Sequence, residues 1–337
     1  MTTTLTPVET TLNDIYPDLA KLITGVASQK VAPTLVPTEL ETLMPTAGRA
    51  NLRNKSGDPK KSKVETPVET DALKGEVSYA RPSGELYYTR SWGEHSDTEV
   101  LRKARETNQF VLLYGNPGCG KTALVEATYG EELYTILGSG DTELSDFIGG
   151  YVQTPSGGFE WIDGALVKSA EEGKVLLIDE IGLIDPKVLS AVYGLMDGRR
   201  EIAITQNPER GIVKAKDGFF VIGATNPNAP GVRLSEALLS RFTIQVEMTT
   251  DWSLAKKLGV PATIVTASQN LAKKQKSGEV SWSPAFRELL AFRDLAKTFG
   301  TKWAIANLLS ASPEIDRPVV ADVFTRVFGE DCQPAKI

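Results

Sequence analysis

Five runs of apolar residues recur along the middle of the chain: FVLLYG at 110–115, LYTILG at 133–138, VLLIDE at 175–180, FFVIGATN at 219–226 and FTIQVEM at 242–248. Continuous apolar runs of this length suit strands covered on both faces, as in a parallel sheet. Helical segments lie between several of them, at 97–106, 121–130, 166–173 and 185–198. The alternation predicts an α/β fold in which helices flank a five-stranded parallel sheet. Past about residue 250 no further strand run occurs. Segments 251–258, 262–277, 284–299 and 301–310 read as helices, with Gly259, Gly278 and Gly300 as stops. The expected organisation is a sheet domain over 76–249 followed by a small all-helical lid over 250–337.

Residues 1–75 follow neither pattern. They hold 7 of the 19 prolines, 13 threonines and a single aromatic residue, Tyr16, of the chain's 25. Such a segment buries too little apolar surface to offset its ordering entropy, so a disordered tail is expected. Thr-Pro-Val-Glu-Thr occurs at 6–10 and again at 66–70, which reads more simply as low complexity than as a duplicated docking motif. RANLRNKSGDPKKSK at 49–63 carries six positive charges and one negative. It reads as a solvated linker, since no aromatic residues interleave for base stacking. A salt-sensitive nucleic-acid contact is the alternative.

Whole-chain composition narrows the chemistry. Lys plus Arg total 37 against 43 Asp plus Glu, a net charge of −6, which does not suggest a surface coated for nucleic acid. A single histidine, His95, argues against a Ser-His-Asp hydrolase or a His-rich metal site. Two cysteines, Cys119 and Cys332, are too few for a disulfide scaffold. No apolar run reaches the roughly 18–20 residues of a membrane span, and the first residues show no basic or apolar signal region. A soluble, cytoplasmic protein without a membrane partner is expected.

The segment GNPGCGKT passes from a predicted strand into a predicted helix and fits G-x-x-x-x-G-K-[ST] at every fixed position. Its members are Gly115, Asn116, Pro117, Gly118, Cys119, Gly120, Lys121 and Thr122. The glycines let the backbone curl until its N–H groups point inward at phosphate oxygens, and the helix start adds its positive dipole end. Lys121 is expected to reach the β- and γ-phosphates of ATP and Thr122 to ligate Mg²⁺, with Ala123 completing the nucleotide-binding set. In KVLLIDE, 174–180, Asp179 is expected beside Mg²⁺ and Glu180 as the general base for the attacking water. A strand end with a helix cap is the plainer alternative. FFVIGATN ends in Asn226, whose carboxamide would hold that water, although Asn also suits an exit turn before Pro227. LSEALLSRF, 234–242, reads as a helix presenting Arg241, placed to reach a neighbouring subunit's γ-phosphate as an arginine finger.

In this order and spacing, GNPGCGKT, VLLIDE, GATN and SRF resemble an AAA+ ATPase over roughly residues 76–330. The stretch DFIGGYVQTPSGGFEWIDGALVKSAEEGKVLLIDEI, 146–181, is similar to the MoxR-like and dynein/midasin-related branch, which includes gas-vesicle GvpN and the CbbQ/NorQ activators. In that branch a β-hairpin interrupts the second helix. Tyr151–Gln153 and Phe159–Trp161, around the turn TPSGG, read as that hairpin, and 201–220 as a pre-sensor hairpin. The resemblance implies a hexameric ring with ATP sites between subunits and both hairpins facing the pore. It implies ATP and Mg²⁺ as cofactors and a protein substrate, often with a von Willebrand A-type partner. It also implies a lid arginine at the nucleotide, for which Arg287 in SWSPAFREL is the first choice and Arg293 the second. Arg233 is a further interface candidate.

The expected function is therefore an ATP-hydrolysing ring that remodels or activates a protein partner. A DNA-associated AAA+ ATPase is the alternative, and an ATP-gated scaffold a third, against which Glu180 argues. Cys119 stands where Thr or Ser is more usual, with its side chain expected to point away from phosphate. Beside a helix N-terminus it is expected to be a reactive thiol that ATP protects, while Cys332, near the end of the chain, should react regardless.

Overall fold

The computed structural model describes residues 77–335. The Pro/Thr-rich segment, the repeated pentamer and the basic stretch at 49–63 lie outside the described residues. The described part opens with two small antiparallel hairpins. β1 (Ser78–Ala80) pairs with β2 (Leu86–Tyr88), and β3 (Ser91–Trp92) with β4 (His95–Ser96). Sequence reading missed them, because strands of two or three residues are too short to show an alternation.

The first core helix, α1 (Asp97–Glu106), starts on a reciprocal cap. The Ser96 hydroxyl accepts from the Glu99 N–H, and the Glu99 carboxylate accepts from the Ser96 N–H. The chain then alternates through β5 (Val111–Tyr114), α2 (Lys121–Tyr129), β6 (Leu133–Leu137) and α3 (Leu144–Ile148). A hairpin of β7 (Gly149–Gln153) and β8 (Phe159–Asp163) leads into α4 (Ala165–Glu172), β9 (Val175–Asp179) and α5 (Pro186–Met196). A second hairpin, β10 (Glu201–Ala203) and β11 (Ile212–Lys214), precedes β12 (Phe220–Thr225), α6 (Glu236–Leu239) and β13 (Ile244–Glu247).

Each of the five apolar runs is a strand of one parallel sheet, in the order β13-β5-β12-β9-β6. Val111, Leu113, Val175, Leu176, Leu177, Val221 and Ile222 are all sealed from solvent, as strands covered on both faces require. Because β5 and β6 are consecutive in the chain but separated in the sheet, a crevice opens at the carboxyl ends of β5, β12 and β9.

Both expected hairpins are present, and the loop of the second is tied to the base of the first. Gly149 has φ 113°, and a Cβ there would lie 2.3 Å from the Ile162 carbonyl oxygen, so glycine is what lets β7 close on β8. Beyond that pinch Tyr151, Val152, Phe159 and Ile162 are exposed. Arg210, between β10 and β11, forks onto both Asp163 oxygens at 3.1 Å and also pairs with Glu171 on α4. Burial opposes the charge on Asp163, but hydrogen bonds from Arg210 and the Trp161 indole outweigh it and hold the carboxyl below its usual range.

The segment expected as a helix over 234–242 is shorter. Only α6, four residues capped by the Ser235 hydroxyl, is helical. Phe242 is drawn into the core, where its ring tip would come 3.0 Å from a Cβ placed on Gly223. That pull ends the helix early and leaves Arg241 in the turn behind it. After β13 come α7 (Trp252–Lys257), α8 (Ala262–Lys276), α9 (Phe286–Phe299), α10 (Thr301–Ala311) and α11 (Arg317–Phe328). The last of these was missed from sequence; it buries Val320, Val323 and Phe324. The helical lid has a core of its own, including Ile264, Leu271, Leu289 and Phe324, distinct from that around the sheet. Among the described residues no helix is long and apolar enough to cross a membrane.

Candidate active site

The loop that follows β5 curls back to the start of α2, with Gly115, Gly118 and Gly120 all at positive φ. Lys121 is only 6% exposed, and its ammonium donates to the Gly115 carbonyl at 2.8 Å and the Asn116 carbonyl at 3.1 Å. The charge is thus held against the inside of the loop. One residue on, the Thr122 hydroxyl donates to Asp179 Oδ2 at 2.8 Å, while Asp179 Oδ1 accepts the Glu180 N–H at 3.1 Å. Glu180 sits in the left-handed region at φ 48°, and its Oε2 is buried without a partner among the described residues. A buried oxygen left this way costs about 1–3 kcal/mol, and it fits a place where a reacting water is to be bound.

These groups line one cavity of about 850 Å³ between sheet and lid. Pro117, Gly118, Gly120, Lys121, Thr122, Ala123, Asp179 and Glu180 face it from the sheet side, and Phe286, Arg287 and Arg293 from the lid. Thr122 and Asp179 are hard oxygen donors suited to Mg²⁺, an ion that draws its remaining ligands from phosphates and water. Among the described residues no cluster of three or more His, Cys, Asp or Glu could hold a metal by itself.

The other expected residues are placed differently. Asn226 directly follows β12, where the Thr225 carbonyl accepts the Gly115 N–H at 3.2 Å. Its own Oδ1 accepts the Asn228 N–H at 3.2 Å, and Asn228 in turn reaches Asn116. Asn226 therefore caps the exit turn beside the loop and does not line the cavity. Nor does Arg241, whose guanidinium rests on Tyr193 of α5. Arg293 is committed to the Leu258 carbonyl and to Asp294, whereas the Arg287 backbone N–H donates to the Gly118 carbonyl at 3.1 Å. The Arg233 N–H is bonded to the Gly182 carbonyl at 2.7 Å.

Both thiols are buried, which the sequence reading did not expect. Cys119 is 1% exposed, its S–H donates to the Asn116 carbonyl at 2.9 Å, and burial pushes its pKa up despite Lys121 and Arg90 nearby. The side chain points away from the phosphate side, as expected, but into the core. Cys332 is also buried, and burial raises its thiol likewise. Sequence reasoning also missed Arg90, which reaches the phosphate loop from a segment 29 residues upstream; no local pattern marks such a contact.

Residues 110–242 match the family described as AAA domain, dynein-related subfamily. Midasin of Giardia intestinalis is 36% identical over 149 residues, covering 42% of this chain but 3% of that much longer protein. An uncharacterised protein of Staphylococcus haemolyticus is 30% identical over 247 residues, covering 66% of this chain and 92% of the relative. A similar protein of Staphylococcus saprophyticus is 29% identical, covering 68% and 93%. A solved structure from Cytophaga hutchinsonii covers 66% of this chain and 78% of that one at 18% identity; its TM-score of 0.37 carries no argument. The family match spans the strands that converge on the cleft, so residues 110–242 form an AAA domain of the AAA+ family.

Proposed function

We propose that this chain hydrolyses ATP and works as a MoxR-like hexameric ring that remodels or activates a protein partner, of which a von Willebrand A-type protein is the expected class. In this reading residues 76–249 are the ATPase domain and 250–337 its lid. One observation carries it: the Thr122–Asp179 hydrogen bond at 2.8 Å beside the unpartnered, buried Glu180 Oε2. Hydrolysis needs a group at this position that orients and activates the attacking water. Lys121 would neutralise the β- and γ-phosphates, Thr122 and Asp179 would hold Mg²⁺, and Glu180 would take the proton of the attacking water. Asn226 would orient that water by turning from its cap, Arg287 would meet the phosphates from the lid, and Arg241 would act on the next subunit.

The β7–β8 hairpin supports a polypeptide partner over DNA. It exposes Tyr151, Val152, Phe159 and Ile162 and carries Glu160 and Asp163 but no Lys or Arg, a poor surface for phosphodiester. Phosphate release from Mg-ATP, measured with and without duplex DNA at two salt concentrations, tests both readings. Turnover unchanged by DNA is expected. Stimulation that fades with salt would turn the reading toward DNA, and no turnover with any partner would remove it.

A further inference from the structure

Arg90 lies between β2 and β3, outside the span matched to the family. Its guanidinium joins three segments far apart in the chain. Nη2 donates to the Cys119 carbonyl in the phosphate loop at 2.7 Å, and Nη1 donates to the Thr249 carbonyl, between β13 and the lid, at 3.1 Å. The guanidinium carbon lies 5.6 Å from the centre of the ring of Phe286, the first residue of α9. The Arg90 carbonyl accepts the Asp97 N–H at 2.9 Å, so its backbone is anchored to the start of α1. Nε is buried without a partner among the described residues. The loop is shaped around this side chain: a Cβ on Gly120 would come 2.8 Å from Nη2.

The peptide between Cys119 and Gly120 is planar, so its carbonyl and its N–H turn as one body. A phosphate that draws the Gly120 N–H must also swing the Cys119 carbonyl, and that carbonyl is held by Arg90. The arginine in turn holds the entry to the lid and lies against Phe286. The Arg287 N–H on the Gly118 carbonyl makes a second contact of the same kind. We propose that Arg90 is a positioning residue that couples phosphate binding in the loop to the seating of the lid over the cleft. The inference rests on the nucleotide reading of that cleft. A planar fork can meet two carbonyls and a ring together, which a lysine ammonium cannot.

Hydrogen exchange on the full chain with Mg-pyrophosphate tests this, because pyrophosphate fills the phosphate loop without a nucleobase, and Arg287 is then the lid residue it meets directly. In the unmodified chain, the peptide covering 252–258, away from Arg287, should exchange about fivefold more slowly with the probe, the low end of coupling between sites. Arg90→Met and Arg90→Lys should still bind pyrophosphate and lose that slowing; the lysine variant keeps the charge and covers the case of a misfolded methionine variant. Lid slowing retained in a variant that binds the probe, or absent from the unmodified chain when it binds, overturns the coupling. An unmodified chain that binds neither Mg-pyrophosphate nor Mg-ADP overturns the nucleotide reading itself, and the coupling with it.

Discussion

The guanidinium of Arg241 lies 4.1 Å from the centre of the Tyr193 ring, so this arginine rests on the helix that follows Asp179 and Glu180. Its Nη1 also donates to the Ala237 carbonyl, and its Nε is buried without a partner among the described residues. A cation over a tyrosine face contributes about 0.5–2 kcal/mol. Arg241 is thus engaged outside the cavity that Lys121 and Glu180 line.

That placement suits action in trans. An arginine finger is worth roughly 10³–10⁵ in rate, about 4–7 kcal/mol at 1.36 kcal/mol per factor of ten. Arg241→Ala should keep its ATP affinity while hydrolysis falls by that order. Mixing it with Lys121→Ala should restore some turnover, since a mixed interface can pair an intact loop with an intact Arg241. A co-assembled mixture as inactive as either variant alone would remove the trans role.

Lys121 and Glu180 should separate binding from turnover. Lys121→Ala removes the cation held at the loop and should abolish nucleotide binding. Glu180→Gln keeps the shape without the basicity, so ATP should bind and remain uncleaved. Equilibrium binding of a fluorescent ATP analogue, alongside phosphate release, checks the division; equal loss of affinity in both would contradict it.

Glu180 should be a site where activity opposes stability. A non-glycine residue held at φ 48° stores about 1–3 kcal/mol, and glycine relieves it at an entropic cost of roughly 0.5–1 kcal/mol. Glu180→Gly also removes the unpartnered oxygen. Its thermal midpoint should rise, by about 2–4 °C for each kcal/mol gained in a domain of this size, while hydrolysis is lost. A lower midpoint would show that the carboxylate is satisfied in the folded chain.

Cys119 should be a slow thiol. Burial raises its pKa, so the thiolate that reacts is scarce at pH 7–8. Alkylation by iodoacetamide should be much slower than in the urea-unfolded chain at the same pH, and mass spectrometry of the loop peptide reads it directly. The raised pKa has a sign for stability as well. The folded chain favours the neutral thiol, so this contribution is complete below the unfolded thiol's pKa and is lost as pH climbs through the folded one. Fast labelling at neutral pH would place the thiol outside the core.

The sheet was legible because its strands are covered on both faces, and burial on both faces leaves an uninterrupted apolar run such as VLLID. The phosphate loop was legible because its glycines and Lys121 act through backbone geometry local to eight residues. What escaped depends on distance along the chain. Arg90 meets Thr249 across 159 residues, and nothing around Arg90 announces it. The end of α6 escaped because Phe242 answers to Gly223 rather than to its helical neighbours. The left-handed turn at Glu180 has no mark in residue type, since glutamate ordinarily avoids it.

The Arg210 fork onto Asp163 and Glu171 has a mechanical consequence. It ties the two hairpins together, so force applied at the tip of β7–β8 has a route into both arms. Part of it passes through α4 into β9, which ends in Asp179. The rest crosses the fork to β10–β11 and enters β12, which ends at Asn226. Tension on either arm thus has a path to two neighbouring strands, β9 and β12, whose ends border the crevice where phosphate would lie.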